Sequence, residues 1–138
     1  MDFTVRDWMN DLVVYIEPTN TVSEALALMR RRYIHSLIVK IGDDHSAYGI
    51  ITSTDICDKI IARDQNPSEV IVAKIMTAPV LTINENEDIK DCAALMSKKQ
   101  IHHIPVMNDK GNLVGMISAS DFLVVAEAMG REPGEMIV

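Results

Sequence analysis

Apolar and polar residues follow two rhythms along this chain, and the same succession of rhythms is written twice. Val22, Ala25, Leu26, Met29 and Tyr33 recur at helical spacing, and Ile89, Cys92, Ala93 and Met96 repeat that stripe in the second half. The opposite faces carry charge, from Arg30, Arg31 and Arg32 in the first copy and from Lys98 and Lys99 in the second, so each predicted helix buries one face. Short apolar runs surround them. Residues 13–16 and 80–83 read as strands before the helices, and residues 37–41 and 104–107 as strands after them. The polar turns Gly42-Asp43-Asp44-His45-Ser46 and Asp109-Lys110-Gly111-Asn112 return the chain into residues 48–51 and 113–117 as antiparallel neighbours. Further helices are predicted over about 53–63 and 119–129, with short ones over 4–9 and 70–76 ahead of each copy.

The copies stay in register. An offset of 67 carries Met9 onto Met76, Ile16 onto Ile83, Met29 onto Met96, His35 onto His102 and Val39 onto Val106, and an offset of 66 carries Gly49 onto Gly115 and Asp55 onto Asp121. The change falls in a turn, where length differences cost little. So many agreements imply an internal duplication. Each copy reads strand, helix, strand, hairpin turn, strand, helix: an α/β (α+β) unit with a small three-stranded mixed sheet and packed helices. Such a sheet leaves apolar area that a second copy can cover, so the pair is expected to form one structural object. Residues 64–68 link the copies, and residues 130–138, with Pro133 and Gly134, form a tail.

The repeated stretch that carries chemistry is Tyr-Gly-Ile-Ile-Thr-Ser-Thr-Asp at 48–55, rewritten as Val-Gly-Met-Ile-Ser-Ala-Ser-Asp at 114–121. Each runs a strand into the first turn of a helix. Thr52 with Asp55, and Ser118 with Asp121, have capping-box spacing, in which side chains satisfy the backbone N–H groups at a helix start. Thr21 with Glu24, and Asp88 with Asp91, are expected to cap the longer helices in the same way. A helix start also receives anions, so structural and ligand-binding readings fall on the same residues.

Composition narrows the choice. A net charge of -7 disfavours nonspecific attraction to nucleic acid or to an anionic membrane. No apolar run approaches the roughly 18 residues of a membrane span, and the N-terminus lacks signal-peptide character, which makes the cytoplasm the expected location. Cys57 and Cys92 lie in predicted helices without metal-site spacing and are expected as buried thiols in a reducing compartment. The phosphate-loop, dinucleotide, zinc-protease and serine-hydrolase motifs are all missing, and adjacent His102 and His103 point to opposite faces of a strand, which makes them a poor chelating pair. No metal and no enzymatic activity are expected.

A nucleotide site is more coherent. An ionised Asp55 or Asp121 can accept from both hydroxyls of a ribose, since a carboxylate has acceptors and no donor. Thr52, Thr54, Ser118 and Ser120 add hydroxyls near sugar or phosphate, and His35, His102 and His103 can donate to phosphate. Val13, Val14, Ile34, Val80, Leu81, Ile101 and Ile104 can wall a purine. Each has a plainer alternative: the aspartates as caps, the histidines as packing or surface residues, the arginine run as a solvated helix end, and Trp8 as a core or interface anchor.

The doubled sequence resembles a tandem pair of CBS domains, a Bateman module. Gly49-Ile-Ile-Thr52-Ser-Thr54-Asp55 and Gly115-Met-Ile-Ser118-Ala-Ser120-Asp121 resemble the nucleotide-binding segment of that family. Ile101-His102-His103-Ile104-Pro105-Val106 resembles its basic strand entry, and Met76-Thr77-Ala78-Pro79-Val80 the opening of a motif. The resemblance places the first motif with its N-terminal helix at 1–66 and the second at 67–129, ahead of the tail at 130–138. It implies a pseudo-twofold pair with clefts between the motifs. In one cleft Asp121 holds ribose with Ser118, Ser120, His102 and His103, while residues 9–14, Ile34 and His35 shape the base pocket. In the other, Asp55 acts with Thr52, Thr54, His35 and Ser36, and residues 76–81, Ile101 and His102 surround the base.

Ser36 stands where the second copy has His103, and Ile38 where it has Pro105, so the Asp121 cleft is the better candidate. The resemblance further implies a stand-alone regulatory module that takes AMP, ADP, ATP or S-adenosylmethionine, with no obligatory cofactor. It also implies a homodimer through motif helices and an unidentified effector protein. The competing reading is a structural or protein-interaction module with empty clefts.

Overall fold

The structure, a computed structural model, describes residues 3–44 and 47–130. His45 and Ser46 of the first polar turn and the tail beyond residue 130 lie outside the described residues. The elements run in chain order: α1 (Val5–Trp8), β1 (Tyr15–Ile16), α2 (Val22–Arg32), β2 (Ser36–Ile41), β3 (Ala47–Thr52), α3 (Ser53–Ile56) continued by a π-helical turn (Cys57–Ile61), a 3-10 turn (Val72–Lys74), β4 (Ile83–Asn84), α4 (Ile89–Lys99), β5 (His103–Met107), β6 (Leu113–Ser118) and α5 (Asp121–Gly130). They gather into two compact units, Val13–Leu81 and the combination of Met1–Leu12 with Thr82–Val138.

In the first of these units β1 runs parallel to β2, and β2 antiparallel to β3, with Leu37 opposite Ile51 and Val39 opposite Gly49. The helical stripe of α2 supplies Val22, Ala25 and Met29 to a core shared with Leu37, Val39, Ile51, Ile56 and Ile60, which explains why the apolar positions of the two rhythms meet. Each such side chain contributes about 1.5–3 kcal/mol of burial. The other unit repeats the arrangement as β4-β5-β6, with a core of Ile89, Cys92, Met96, Ile104, Val106, Ile117 and Val125. Its β5–β6 ladder carries an irregularity between Val106 and Met107.

A segment from elsewhere in the chain borders the third strand of each sheet. Ile50 and Thr77 exchange both backbone hydrogen bonds, at 2.9 and 2.8 Å, and Asn10 and Met116 do the same at 2.9 and 2.8 Å. This is why glycine recurs at 49 and 115. A Cβ on Gly115 would lie 2.6 Å from Met9 Sδ and 2.7 Å from the Asn10 carbonyl, whereas one on Gly49 would lie 3.1 Å from both Met76 Sδ and the Thr77 carbonyl.

Several sequence expectations change in detail. The strands expected at 13–16 and 80–83 shrink to two-residue ladders at Tyr15–Ile16 and Ile83–Asn84, because parallel pairing to β2 and β5 is limited to those residues. The helix expected over 53–63 turns π-helical after Ile56, with the Ala62 N–H reaching the Cys57 carbonyl. Thr21 and Glu24 form the expected capping box, but Asp88 caps α4 by accepting from the Lys90 N–H rather than by pairing with Asp91. Cys92 is buried as expected, and burial pushes its thiol up to about 11, while Cys57 is exposed on the outer side of its helix. Trp8 packs edge-on against Phe3, centroids 5.1 Å apart, beside the second core.

Candidate functional site

The two aspartates sit at equivalent points of the fold and meet different surroundings. In the unit Val13–Leu81, β3 delivers Thr52 to the start of α3, and the capping box closes in both directions. Asp55 Oδ2 accepts from the Thr52 N–H at 2.9 Å and from its hydroxyl at 3.1 Å, and the Asp55 N–H donates back to that hydroxyl at 3.3 Å. The second carboxylate oxygen, Oδ1, accepts from Lys59 Nζ at 3.1 Å, and the same ammonium donates to the Ile75 carbonyl at 2.7 Å. Asp55 is 9% exposed. Thr54 and His35 are exposed, and Ser36, opposite Thr52 in the ladder, is buried.

In the other unit β6 delivers Ser118 to the start of α5. Asp121 Oδ2 accepts from the Ser118 N–H at 2.8 Å and from its hydroxyl at 3.1 Å, and the Ser118 and Ser120 hydroxyls lie 2.9 Å apart. Assigning the single Ser118 hydroxyl proton to the carboxylate, the stronger acceptor, makes Ser120 the donor to Ser118. What remains facing outward is acceptor capacity: the lone pairs of Ser120 Oγ, and Asp121 Oδ1, which has no partner among the described residues. His103 begins β5 directly opposite Ser118, the His102 carbonyl accepts from the Ala119 N–H at 2.8 Å, and the His102 residue is exposed. Ile101 is half-buried against that unit's core.

The remaining wall residues divide by unit. Val13, Val14, Ile34, Val80 and Leu81 belong to the unit Val13–Leu81, where Val14 and Ile34 pack against its core and Leu81 is exposed. Ile34 and His35 also line an apolar cavity of about 480 Å³ with Leu26, Met29, Tyr33 and Ile56. Lys40 places Nζ 4.9 Å from the Tyr15 ring centroid. Tyr15 holds its phenol above the ordinary value, through burial first and the neighbouring Tyr48 second. Among the described residues no three His, Cys, Asp or Glu side chains gather as a metal site would require. No helix among them is long and apolar enough to cross a membrane.

The residue that sequence reasoning missed is Lys59. Its signal was present as an acid and a base four apart on one helix face, Asp55 and Lys59, against Asp121 and Val125 in the other copy.

The sequence profile of the CBS domain matches residues 5–62 and again residues 72–127. The chain belongs to the CBS-domain family. Its two CBS domains stand in tandem, as the doubling implied, each with a three-stranded mixed sheet and helices. A hexameric CBS-CP12 protein from bloom-forming cyanobacteria superposes with a TM-score of 0.85 at 30% identity, over 97% of this chain and 76% of that one. The CBS domain pair of protein MJ0100, in complex with 5'-methylthioadenosine and S-adenosyl-L-methionine, superposes with a TM-score of 0.80 at 27% identity, over 94% and 99% of the two chains. An uncharacterised Methanopyrus kandleri protein is 34% identical over 82% of this chain, which spans 57% of that relative's length.

Proposed function

We propose that this CBS pair is a regulatory module that binds an adenine nucleotide or related adenosyl compound at its Asp121 segment and signals by a change of conformation. The observation that carries the reading is the proton inventory at Ser118, Ser120 and Asp121. With both hydroxyl protons spent internally, the segment offers acceptors, Asp121 Oδ1 and the Ser120 lone pairs, which suit the two donors of a ribose diol. His103, opposite Ser118, is placed to meet the phosphate or other substituent of the same ligand. The methylthioadenosine and S-adenosylmethionine held by the MJ0100 pair support an adenosyl class of ligand.

Calorimetry with AMP, ADP, ATP and S-adenosylmethionine tests this. A hydrogen bond to a charged group is worth about 1.5–3 kcal/mol, so Asp121→Ala should weaken binding roughly 10- to 100-fold. A 2',3'-dideoxy analogue should bind wild type and Asp121→Ala equally. Unchanged affinity of the parent ligand in the variant removes Asp121 from the site.

Signalling requires that the ligand favour one arrangement over another and that an effector protein read the difference. We propose that copies of the chain associate through the 53–61 and 121–130 helices, a reading supported by the exposure of Ile61 at 71% and Leu123 at 73%. Leu123→Glu should then shift sedimentation toward the monomer. The free thiols of Cys57 and Cys92 suit a reducing, cytoplasmic setting.

A further inference from the structure

The two aspartates differ in what stands one helical turn beyond them. Lys59 follows Asp55 and ties Oδ1 to the Ile75 carbonyl, whereas Val125 follows Asp121 and is buried at 4% exposure in the apolar core. We propose that Lys59 is a built-in occupant of the Asp55 carboxylate, and that it limits the protein to one adenosyl ligand per chain, taken at Asp121. The inference rests on the reading of Asp121 given above and adds its stoichiometry and the residue that sets it.

The argument is one of competition for acceptors. Asp55 Oδ2 is filled by the N–H and hydroxyl of Thr52, which leaves Oδ1 as the oxygen a diol must use. Oδ1 already holds an ammonium, and that ammonium is anchored a second time, 2.7 Å from the carbonyl of buried Ile75. Both donors would meet an ionised oxygen, but the ammonium adds the attraction of opposite charges, so a neutral ribose hydroxyl is the weaker suitor for the same lone pairs. Displacing Lys59 also strips the Ile75 carbonyl of its side-chain donor. Asp121 carries no such competitor, because a valine cannot donate. The unit that holds Lys59 also lacks the second histidine, with Ser36 in place of His103, so both changes reduce what that copy can offer a nucleotide.

A purely structural ion pair would stabilise α3 and leave stoichiometry alone, so stoichiometry is the readout. Titration of the full chain with AMP, ATP and S-adenosylmethionine should give one site per chain in wild type, lost in Asp121→Ala. Lys59→Met should open a second site per chain, and the double variant Lys59→Met with Asp55→Ala should close it again. Two sites per chain in wild type, or one in a folded Lys59→Met protein, overturns the role of Lys59 and leaves Asp121 standing. No binding in either protein, or a wild-type site that survives Asp121→Ala, overturns both readings. Should Lys59→Met fail to fold, Lys59→Leu replaces it. If both unfold, a single wild-type site abolished by Asp121→Ala sustains the proposal, and any second wild-type site ends it.

Discussion

The Asp55 and Asp121 segments descend from one duplicated pattern, yet one engages both carboxylate oxygens within the chain and the other keeps one to spare. Around Asp55 both carboxylate oxygens are engaged within the chain: a reciprocal capping box on one and a lysine on the other. Around Asp121 only the half of the box donated by Ser118 forms, on one oxygen, with α5 beginning at Asp121 itself, and the residue that would answer Lys59 is Val125. The lesson is that a repeated motif need not be a repeated site. In both copies the aspartate accepts from the backbone N–H and hydroxyl of the last residue of the preceding strand, so either aspartate ties strand end to helix. Whether it also serves a ligand depends on a neighbour one turn away that takes no part in the motif.

Stability measurements sharpen this contrast. The largest expected effect is at Asp55. Asp55→Ala removes the cap and leaves Lys59 without its carboxylate. Because the Lys59 side chain is 32% exposed and partly screened, the loss is set at about 2–4 kcal/mol rather than the full cost of a buried broken pair. Asp121→Ala, which removes a cap alone, should cost about 1 kcal/mol in the same denaturant titration. Equal losses at the two positions contradict the difference in role. The order is therefore opposite to that expected for ligand binding.

Next come the two glycines. Gly115→Ala drives a Cβ to 2.7 Å from a backbone carbonyl that belongs to a paired bridge, so about 1–3 kcal/mol of overpacking is expected. Gly49→Ala starts from 3.1 Å contacts, one of them to the flexible Met76 thioether, and should cost less than about 1 kcal/mol. A larger loss at Gly49 than at Gly115 would reverse the ranking of how closely the two bordering segments approach.

The smallest effect concerns the caps of α2 and α4. Glu24 is held below the ordinary carboxylate range by the Thr21 N–H first, then by the Thr21 hydroxyl and Asn20. A folded value below the unfolded one gives a contribution that is complete above the unfolded value. It is lost as pH falls through the folded value, hence below about 4.5. Glu24→Gln should flatten the acid limb of stability against pH in that window and lower neutral stability by the same small amount. An acid limb as steep as that of wild type removes Glu24 from the linkage.

Much of this molecule was legible from residue order. The two helical stripes, the hairpins, the duplication and the Thr52/Asp55 and Ser118/Asp121 caps all arise from local periodicity and short-range hydrogen bonding, which the chain carries with it wherever it folds. Lys40 and Trp8 could be located on elements but not aimed. Lys40 reaches Tyr15 through the pairing of β2 with β1, and Trp8 with its local neighbour Phe3 is aimed by packing against the second core. Cys57, expected inside, is found outside, because Ile56 and Ile60, four apart on the same helix, are the positions that enter the core.

Residue order alone thus establishes two equivalent halves, each with a carboxylate at a helix start, since capping needs nothing beyond four neighbouring residues. Ser36 against His103 already marks a difference between the halves in residue order, and folding in three dimensions establishes that the two carboxylates are engaged differently. The Ile75 carbonyl that anchors Lys59 comes from sixteen residues further along the chain, and only packing brings it beside Asp55. Long-range placement of that kind leaves no periodic trace, which is why two similar lines of sequence conceal one occupied carboxylate and one with an open acceptor.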